Sequence, residues 1–384
     1  MRRVYVLYIL LALWQLGLEI LGVSLIEKEG DMSFAAFTDI QGRFARNHTY
    51  LSVGGAGDVS LSFDNSFVVV PARNEADTVG WVLKGLLADG VPPEQILVVD
   101  SSSFDDTAKI AADHGVVVID QMKTIDRHCR RDAFLDLGIS FNWSNKLPDM
   151  DCGKGCAIFA ALLYLGAIGA ADDTRIFLLD ADIRNLQELN PLRYLVFADE
   201  DTDGRLSCIK CGHPKRENEI PLAMWVAAAQ TFPAQAERYL PVSAFTWPLC
   251  GQMMVRLGAL RKTPIASGYS LETVMLMGLL DLVGIDGLGQ VWVHGALEDK
   301  VGDPPKYIMM YGKIGVMIMR VLQREGGLPG ILESGLYTAF NDSLREANAF
   351  VTSPDGPNII ARAKPEKLIP PFEFLREACA ITFA

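Results

Sequence analysis

The chain lacks most of the features that would classify it at a glance. Its seven cysteines are odd in number and follow no repeating spacing, which argues against a disulfide framework and fits a reducing compartment. Basic residues are outnumbered, 35 Lys and Arg against 47 Asp and Glu. A net charge of -12 excludes a sequence-independent grip on nucleic acid. There is no internal repeat, no long low-complexity run and no Walker A loop. An acidic protein of this kind can still bind phosphates, but only locally, through a few placed cations, backbone N–H groups or a metal. Half of the 384 residues are hydrophobic, enough for one large α/β domain with additions or for two domains.

Long apolar runs are also scarce, with one exception. Two arginines precede the run Val4 to Ile26, which is long enough to span a bilayer. Gln15 and Glu19 interrupt it, and an intramembrane Glu is costly. No small-residue cleavage site follows, so a cleaved signal peptide is not expected. An anchor here would place the rest outside the cytoplasm by the positive-inside rule. The stretch Lys28 to Met32 is compatible with codons that carry a bacterial ribosome-binding sequence just ahead of a start codon, so translation from Met32 is the other reading. The two stay open. A cytoplasmic protein is the expectation, with membrane association the alternative if residues 4–26 form a true helix.

From Phe67 the rhythm is α/β. FVVVPARNE predicts a buried strand ending in a loop, and ADTVGWVLKGLLADG a helix stopped at Gly90. ILVVD, VVVID, RIFLLDADI, GRLSCIK and QVWVHGAL predict further strands. TAKIAADHG, GKGCAIFAALLYLGAIGA, PLAMWVAAAQTF, ETVMLMGLLDLVG and the Met-rich YIMMYGKIGVMIMRVLQREGG predict helices. Strands alternating with helices imply a doubly wound, mainly parallel sheet, whose ligands bind beyond the carboxyl ends of the strands.

The polar clusters fall at those ends. FLLDADIRN closes an apolar run with two carboxylates, Asp180 and Asp182, one residue apart. In extended backbone they share a face. Like charges so close repel unless a cation or a hydrogen-bonding ligand sits between them, and a helix cap explains one aspartate but not both. A hard divalent cation, Mg²⁺ or Mn²⁺, shared with diphosphate oxygens fits such ligands. In VVVPARNEAD, Pro71 and Ala72 end a strand and Glu75 follows, a rim suited to a flat base. In VVDSSSFDDT, Asp100 stands at a strand tip where a carboxylate can bond the imide N–H of a uracil-type base, with Ser102 beside it. DCGKGCA sets Lys154 between glycines at a helix start, where the lysine and the helix N-terminus both favour an anion. A rival set, Cys208, Cys211 and His213 with Cys152 and Cys156, has zinc-like spacing but overlaps these elements.

In order and spacing, these four stretches resemble a nucleotide-sugar glycosyltransferase of the GT-A type. With LSCIK, WPLCGQMM and ASGYSLETVMLMGLLDLVGIDGLGQV, the chain from about Phe67 to Leu328 is most similar to the glucosyl-3-phosphoglycerate synthase family, and more distantly to mannosylglycerate synthases. The resemblance implies a GT-A fold: residues 65–186 as the nucleotide-sugar half, 187–330 as the acceptor and metal half, 1–64 as an extension and 331–384 as a tail. It implies a retaining, metal-dependent hexosyl transfer from UDP-glucose, or GDP-mannose, to a small hydroxy acid, by a homodimer. Pro71, Ala72, Glu75, Asp100, Ser102 and Lys154 would hold the nucleotide, Asp180 the ribose and Asp182 the metal. Glu272 would lie at the sugar or acceptor pocket, with Gly251, Gln252, Lys210 and Tyr269 on the acceptor side. Asp299 or His294 would be the late metal ligand, Asp299 favoured. The sequence departs from the family's pattern where PLGGE reads PLCGQ, and where the acceptor-phosphate Gly-Arg-x-Thr has no Arg or Thr counterpart near ENEIPLAMW. Alternatives are a membrane-associated transferase acting on a lipid or glycan, and a non-catalytic sugar-nucleotide-binding protein.

Overall fold

The apolar run SFVVVPA forms strand β2 (Ser66–Ala72), with Val68, Val69 and Val70 at most 1% exposed. A strand buried on both faces belongs inside a sheet covered by helices. The computed structural model describes residues 34–51, 61–130, 133, 153–212, 238–299, 304–325, 368–379, 381 and 383. Among them, β2 joins β1 (Thr49–Leu51), β3 (Ile96–Asp100), β4 (Val117–Asp120), β5 (Arg175–Leu178), β6 (Cys208–Gly212), β7 (Met253–Arg256) and β9 (Leu288–Trp292) in one sheet. The order is β1-β9-β6-β7-β5-β2-β3-β4. β7 runs antiparallel to both neighbours, β5 and β6, and every other pairing is parallel. This is the mainly parallel, doubly wound sheet expected, and it is the GT-A fold.

The reversed strand has a positional consequence. The carboxyl ends of β2, β3, β5 and β9 share one edge of the sheet, and β7 brings its amino end, preceded by Gly251 and Gln252, to that same edge. Register aligns the tips: Ala72 stands opposite Asp100, and Asp100 opposite Asp120. Pro71 is tolerated within a central strand because β5 pairs with β2 only as far as Val69, so no ladder bond is asked of the missing N–H.

The described residues fall in two compact units. One takes in those of 46–216, 249–300 and 367–384 and holds the sheet; the other takes in those of 1–45, 217–248 and 301–366. In the second, Phe44 packs against Phe245 with ring centroids 4.7 Å apart, and the Met-rich helix runs Pro304–Glu325. The residues of PLAMWVAAAQTF and the apolar run at 4–26 lie outside the described residues. Among those described, no helix is long and apolar enough to cross a membrane.

One expectation needs correction. RIFLLDADI is not a strand throughout: β5 stops at Leu178, where its pairing with Val69 and Met253 ends, and Asp180 and Asp182 sit in the turn beyond. The glycines around Lys154 serve a contact within the chain. Gly153 and Gly155 press onto β8 (Ile265–Ala266) and Ser267; Gly155 N–H donates to Ser267 O at 3.2 Å. β8 pairs in turn with β10 (Leu368–Ile369), from the C-terminal stretch in which the sequence suggested no element. So two backbones meet closely at the N-terminus of the helix Lys154–Ala167, and a side chain at either glycine would part them.

A Cβ on Gly155 would lie 1.9 Å from the Ala266 carbonyl oxygen. Gly155→Ala is therefore expected to cost about 3 kcal/mol of stability through overpacking. Gly90→Ala meets nothing within 4 Å and pays only for its φ of +84°, about 1–2 kcal/mol. Urea denaturation of the two variants checks the difference.

Candidate functional site

The helix Lys154–Ala167 begins with a cation, an unfavourable place against the helix dipole. The position is held by two carboxylates. Lys154 Nζ donates to Asp180 Oδ1 at 2.6 Å and to Glu272 Oε1 at 2.9 Å. Asp180 comes from the turn after β5. Glu272 comes from the first turn of the apolar helix Leu271–Val283, where an acid suits the dipole. Burial disfavours the Lys154 ammonium, but the charges of Asp180 and then Glu272 outweigh it and hold the ammonium above its ordinary range.

The second oxygen of Asp180 accepts from Gln252 Nε2 at 2.6 Å. The amide oxygen of Gln252 accepts from the Cys250 thiol at 3.0 Å, and Lys210 Nζ donates to the Cys250 carbonyl at 2.5 Å. Gly251 allows this convergence, since a Cβ there would lie 2.3 Å from Asp180 Oδ2 and 2.5 Å from Lys154 Nζ. Lys210 is wholly buried and Gln252 is 2% exposed, so neither presents itself to solvent. Tyr269 is half-buried two residues before the helix Leu271–Val283.

Asp182 is treated differently from Asp180. Burial raises its carboxyl to about 6, with the charges of Asp180, Glu75 and Asp299 adding to the rise. Asp299 reaches this neighbourhood because three hydrogen bonds tie the chain just before it to the chain just after Asp182: Arg184 N–H to Glu298 O at 2.7 Å, Asn185 Nδ2 to Ala296 O at 2.9 Å, and Glu298 N–H to Asn185 Oδ1 at 2.9 Å. His294 is exposed beside the Tyr194 ring, with centroids 6.5 Å apart.

The loops after β2 and β3 are laced together. Asn74 N–H donates to Ser103 Oγ at 3.0 Å, Phe104 N–H to Asn74 Oδ1 at 2.9 Å, Glu75 N–H to Thr107 Oγ1 at 2.8 Å, and Ala76 N–H to Asp105 Oδ2 at 3.1 Å. Asp100 accepts from the Ser103 N–H at 3.2 Å. Ser102 and Asn74 take φ of 59° and 55°, the left-handed region that costs a side chain some strain. Pro71, Ala72, Glu75, Asp100 and Ser102 thus belong to two strand ends and loops that are tied to each other. Of the lacing residues, Asn74 escaped the sequence reading, although an Asn at a strand-to-helix turn is a signal for a left-handed position.

Only part of the zinc-like pattern falls on described residues. Cys208 and Cys211 lie on β6, with His213 and Cys152 outside the described residues. Burial pushes the Cys208 thiol up to about 12, the opposite of what a thiolate ligand needs. Among the described residues, no three His, Cys, Asp or Glu side chains are grouped closely enough to hold a metal by themselves. A separate charged cleft of about 520 Å³ opens at the amino end of β5, but its Arg175 and Arg256 are already bonded to Asp199 and backbone carbonyls.

With this geometry in view, the similarities can be placed. A mannosyl-3-phosphoglycerate synthase from Rubrobacter xylanophilus superposes with a TM-score of 0.60 at 21% identity, over 87% of this chain and 99% of that one. A glucosyl-3-phosphoglycerate synthase from Mycobacterium tuberculosis, in complex with Mn²⁺ and UDP-glucose, gives 0.57 at 19% identity, over 86% and 99%. Both share the GT-A fold. No protein-family model matches. Curated relatives align over short stretches: 47% identity over 58 residues with an uncharacterised protein of Methanocaldococcus jannaschii, and 32% over 59 residues with the 4,4'-diaponeurosporenoate glycosyltransferase of Staphylococcus aureus. These stretches span 23% and 16% of those proteins and 15% of this chain.

Two outcomes follow. Lys154→Met leaves Asp180 and Glu272 without their shared cation and is expected to cost about 3 kcal/mol, seen as a fall in Tm. Asp182 has a folded value of about 6 against an ordinary 3.8. The native state therefore takes up a proton as pH falls through about 6, and stability rises in that window. Asp182→Asn should stabilise the protein at about pH 7.5 by on the order of 1 kcal/mol, with the gain fading below about pH 5. Melts at several pH values measure both.

Proposed function

We propose that this protein is a retaining, metal-dependent hexosyltransferase that moves glucose from UDP-glucose to a small hydroxy acid such as 3-phosphoglycerate or a relative of it. GDP-mannose is the second donor considered. The observation that carries the reading is the convergence of Lys154, Asp180, Glu272 and Gln252 at the carboxyl edge of a GT-A sheet, beside the acidic cluster at Asp182. The resemblance in both fold and motifs to synthases of phosphoglycerate glycosides supports it.

In this reading, Pro71, Ala72, Glu75, Asp100 and Ser102 receive the nucleobase, and Asp180 receives the ribose. Lys154 supplies the positive charge on the nucleotide side. The donor set fits a hard divalent cation: Asp182 is an aspartate held against other carboxylates, an excess of negative charge that Mg²⁺ or Mn²⁺ would relieve. Such ions take few protein carboxylates and complete their shell with phosphate oxygens and water, so a three-residue cluster, which is absent among the described residues, is not required. Asp182 would hold the ion, and Asp299 rather than His294 would be the late ligand. When bound, the cation would neutralise the departing diphosphate. Glu272 and Tyr269 would face the transferred sugar and acceptor, with Gly251 leaving room beside them.

Calorimetric titration of UDP-glucose and GDP-mannose into the full chain, with Mg²⁺ or with EDTA and beside Asp182→Ala, tests this. One donor should bind, only with the cation, and binding should be lost in Asp182→Ala. A folded protein that binds neither donor overturns the reading.

A further inference from the structure

Gln252 is the neutral member of an otherwise charged cluster. Asp180 and Glu272 carry negative charge and Lys154 positive, with Lys210 buried behind Cys250, where burial disfavours its charged form. Its amide can face only one way. Nε2 donates to Asp180 Oδ2 at 2.6 Å while Oε1 accepts from the Cys250 thiol at 3.0 Å. Rotated by half a turn, the amide oxygen would meet a carboxylate oxygen, and both lone-pair sets would repel. The thiol of Cys250 therefore orients the amide, and the amide orients Asp180. Lys210, through the Cys250 carbonyl, anchors the turn that carries both, and Gly251 between them leaves no Cβ to push Asp180 away.

We infer that Gln252, aligned by the Cys250 thiol, is a positioning residue that presents Asp180 to the donor nucleotide, not a residue that touches the acceptor. The inference rests on the proposed donor-binding function. It assigns to one pair of side chains the orientation of a carboxylate whose other oxygen is held by Lys154. A side chain of equal length without a donor would remove this bond to Asp180 Oδ2.

Donor affinity by calorimetry and the KM of donor and acceptor separately, on the full chain, test this with UDP-glucose and GDP-mannose as probes. Gln252→Met and Gln252→Leu should each weaken donor binding by about tenfold or more, with the acceptor KM unmoved. Cys250→Ala should weaken it less, and Cys250→Ser, which keeps a donor for the amide oxygen, less again. A rise confined to the acceptor KM, or donor affinities equal to wild type in the Gln252 variants, overturns the inference while the proposed function stands. Should the Gln252 variants fail to fold, the Cys250 pair decides, because equal donor affinities for Cys250→Ala and Cys250→Ser would also overturn it. Wild-type protein that binds neither donor overturns the function and the inference together.

Discussion

A half-buried ammonium at the start of a helix is the constraint around which the site is organised. Lys154 sits where the helix dipole opposes it and where solvent is reduced. It persists because Asp180 and Glu272 each give it a charged partner. That single cation ties together three separate pieces of chain: the turn after β5, the helix Lys154–Ala167 and the helix Leu271–Val283. Removing it would leave two carboxylates facing each other in a poorly solvated place, a far larger cost than an ordinary surface pair involves. The glycines at 153, 155 and 251 serve the same end, because each lets the backbone come close enough for the three side chains to meet.

The sheet supplies the second requirement, a common edge. Parallel strands put Ala72, Asp100 and the Asp180 turn on one side. β7, running against them, contributes its leading residues rather than its trailing ones, so Gly251 and Gln252 arrive at the same place from the opposite direction. The loops after β2 and β3 are already bonded to each other before any ligand comes. Preorganisation of this kind avoids an ordering cost at the moment of binding. At the far edge, Arg175, Arg256 and Asp199 form a saturated charged network. Charge alone thus does not mark a site; charge left able to respond to a ligand does.

The two aspartates of FLLDADI illustrate how tertiary structure divides a symmetrical-looking motif. From sequence they are equivalent, one residue apart, and their repulsion calls for a cation. The cation nearest Asp180 turns out to be a lysine of the chain itself. Asp182 is left among carboxylates and is pushed toward its neutral form. The repulsion expected between the pair is real, but Lys154 and Gln252 relieve one side of it only.

Local sequence was enough for the alternation of strands and helices, the parallel sheet and the polar residues at strand tips, because burial patterns and strand-end chemistry are written in neighbouring residues. It was enough to name Lys154, Asp180 and Asp182, since charges amid apolar runs are conspicuous, whereas Glu272 came only through the family resemblance. It could not show that β5 ends before the aspartates, that Gly153 and Gly155 serve a contact with β8, that Lys210 is buried under Cys250, or that Gln252 faces Asp180. Asp180 and Gln252 are 72 positions apart, and Lys154 and Glu272 are 118. Bonds of that span are decided by sheet order and register, which depend on the whole core packing at once. The sequence by itself determined which residue types were available to the site. The fold decided which of them touch, because only three-dimensional packing brings distant side chains within the 3 Å or so that a hydrogen bond requires.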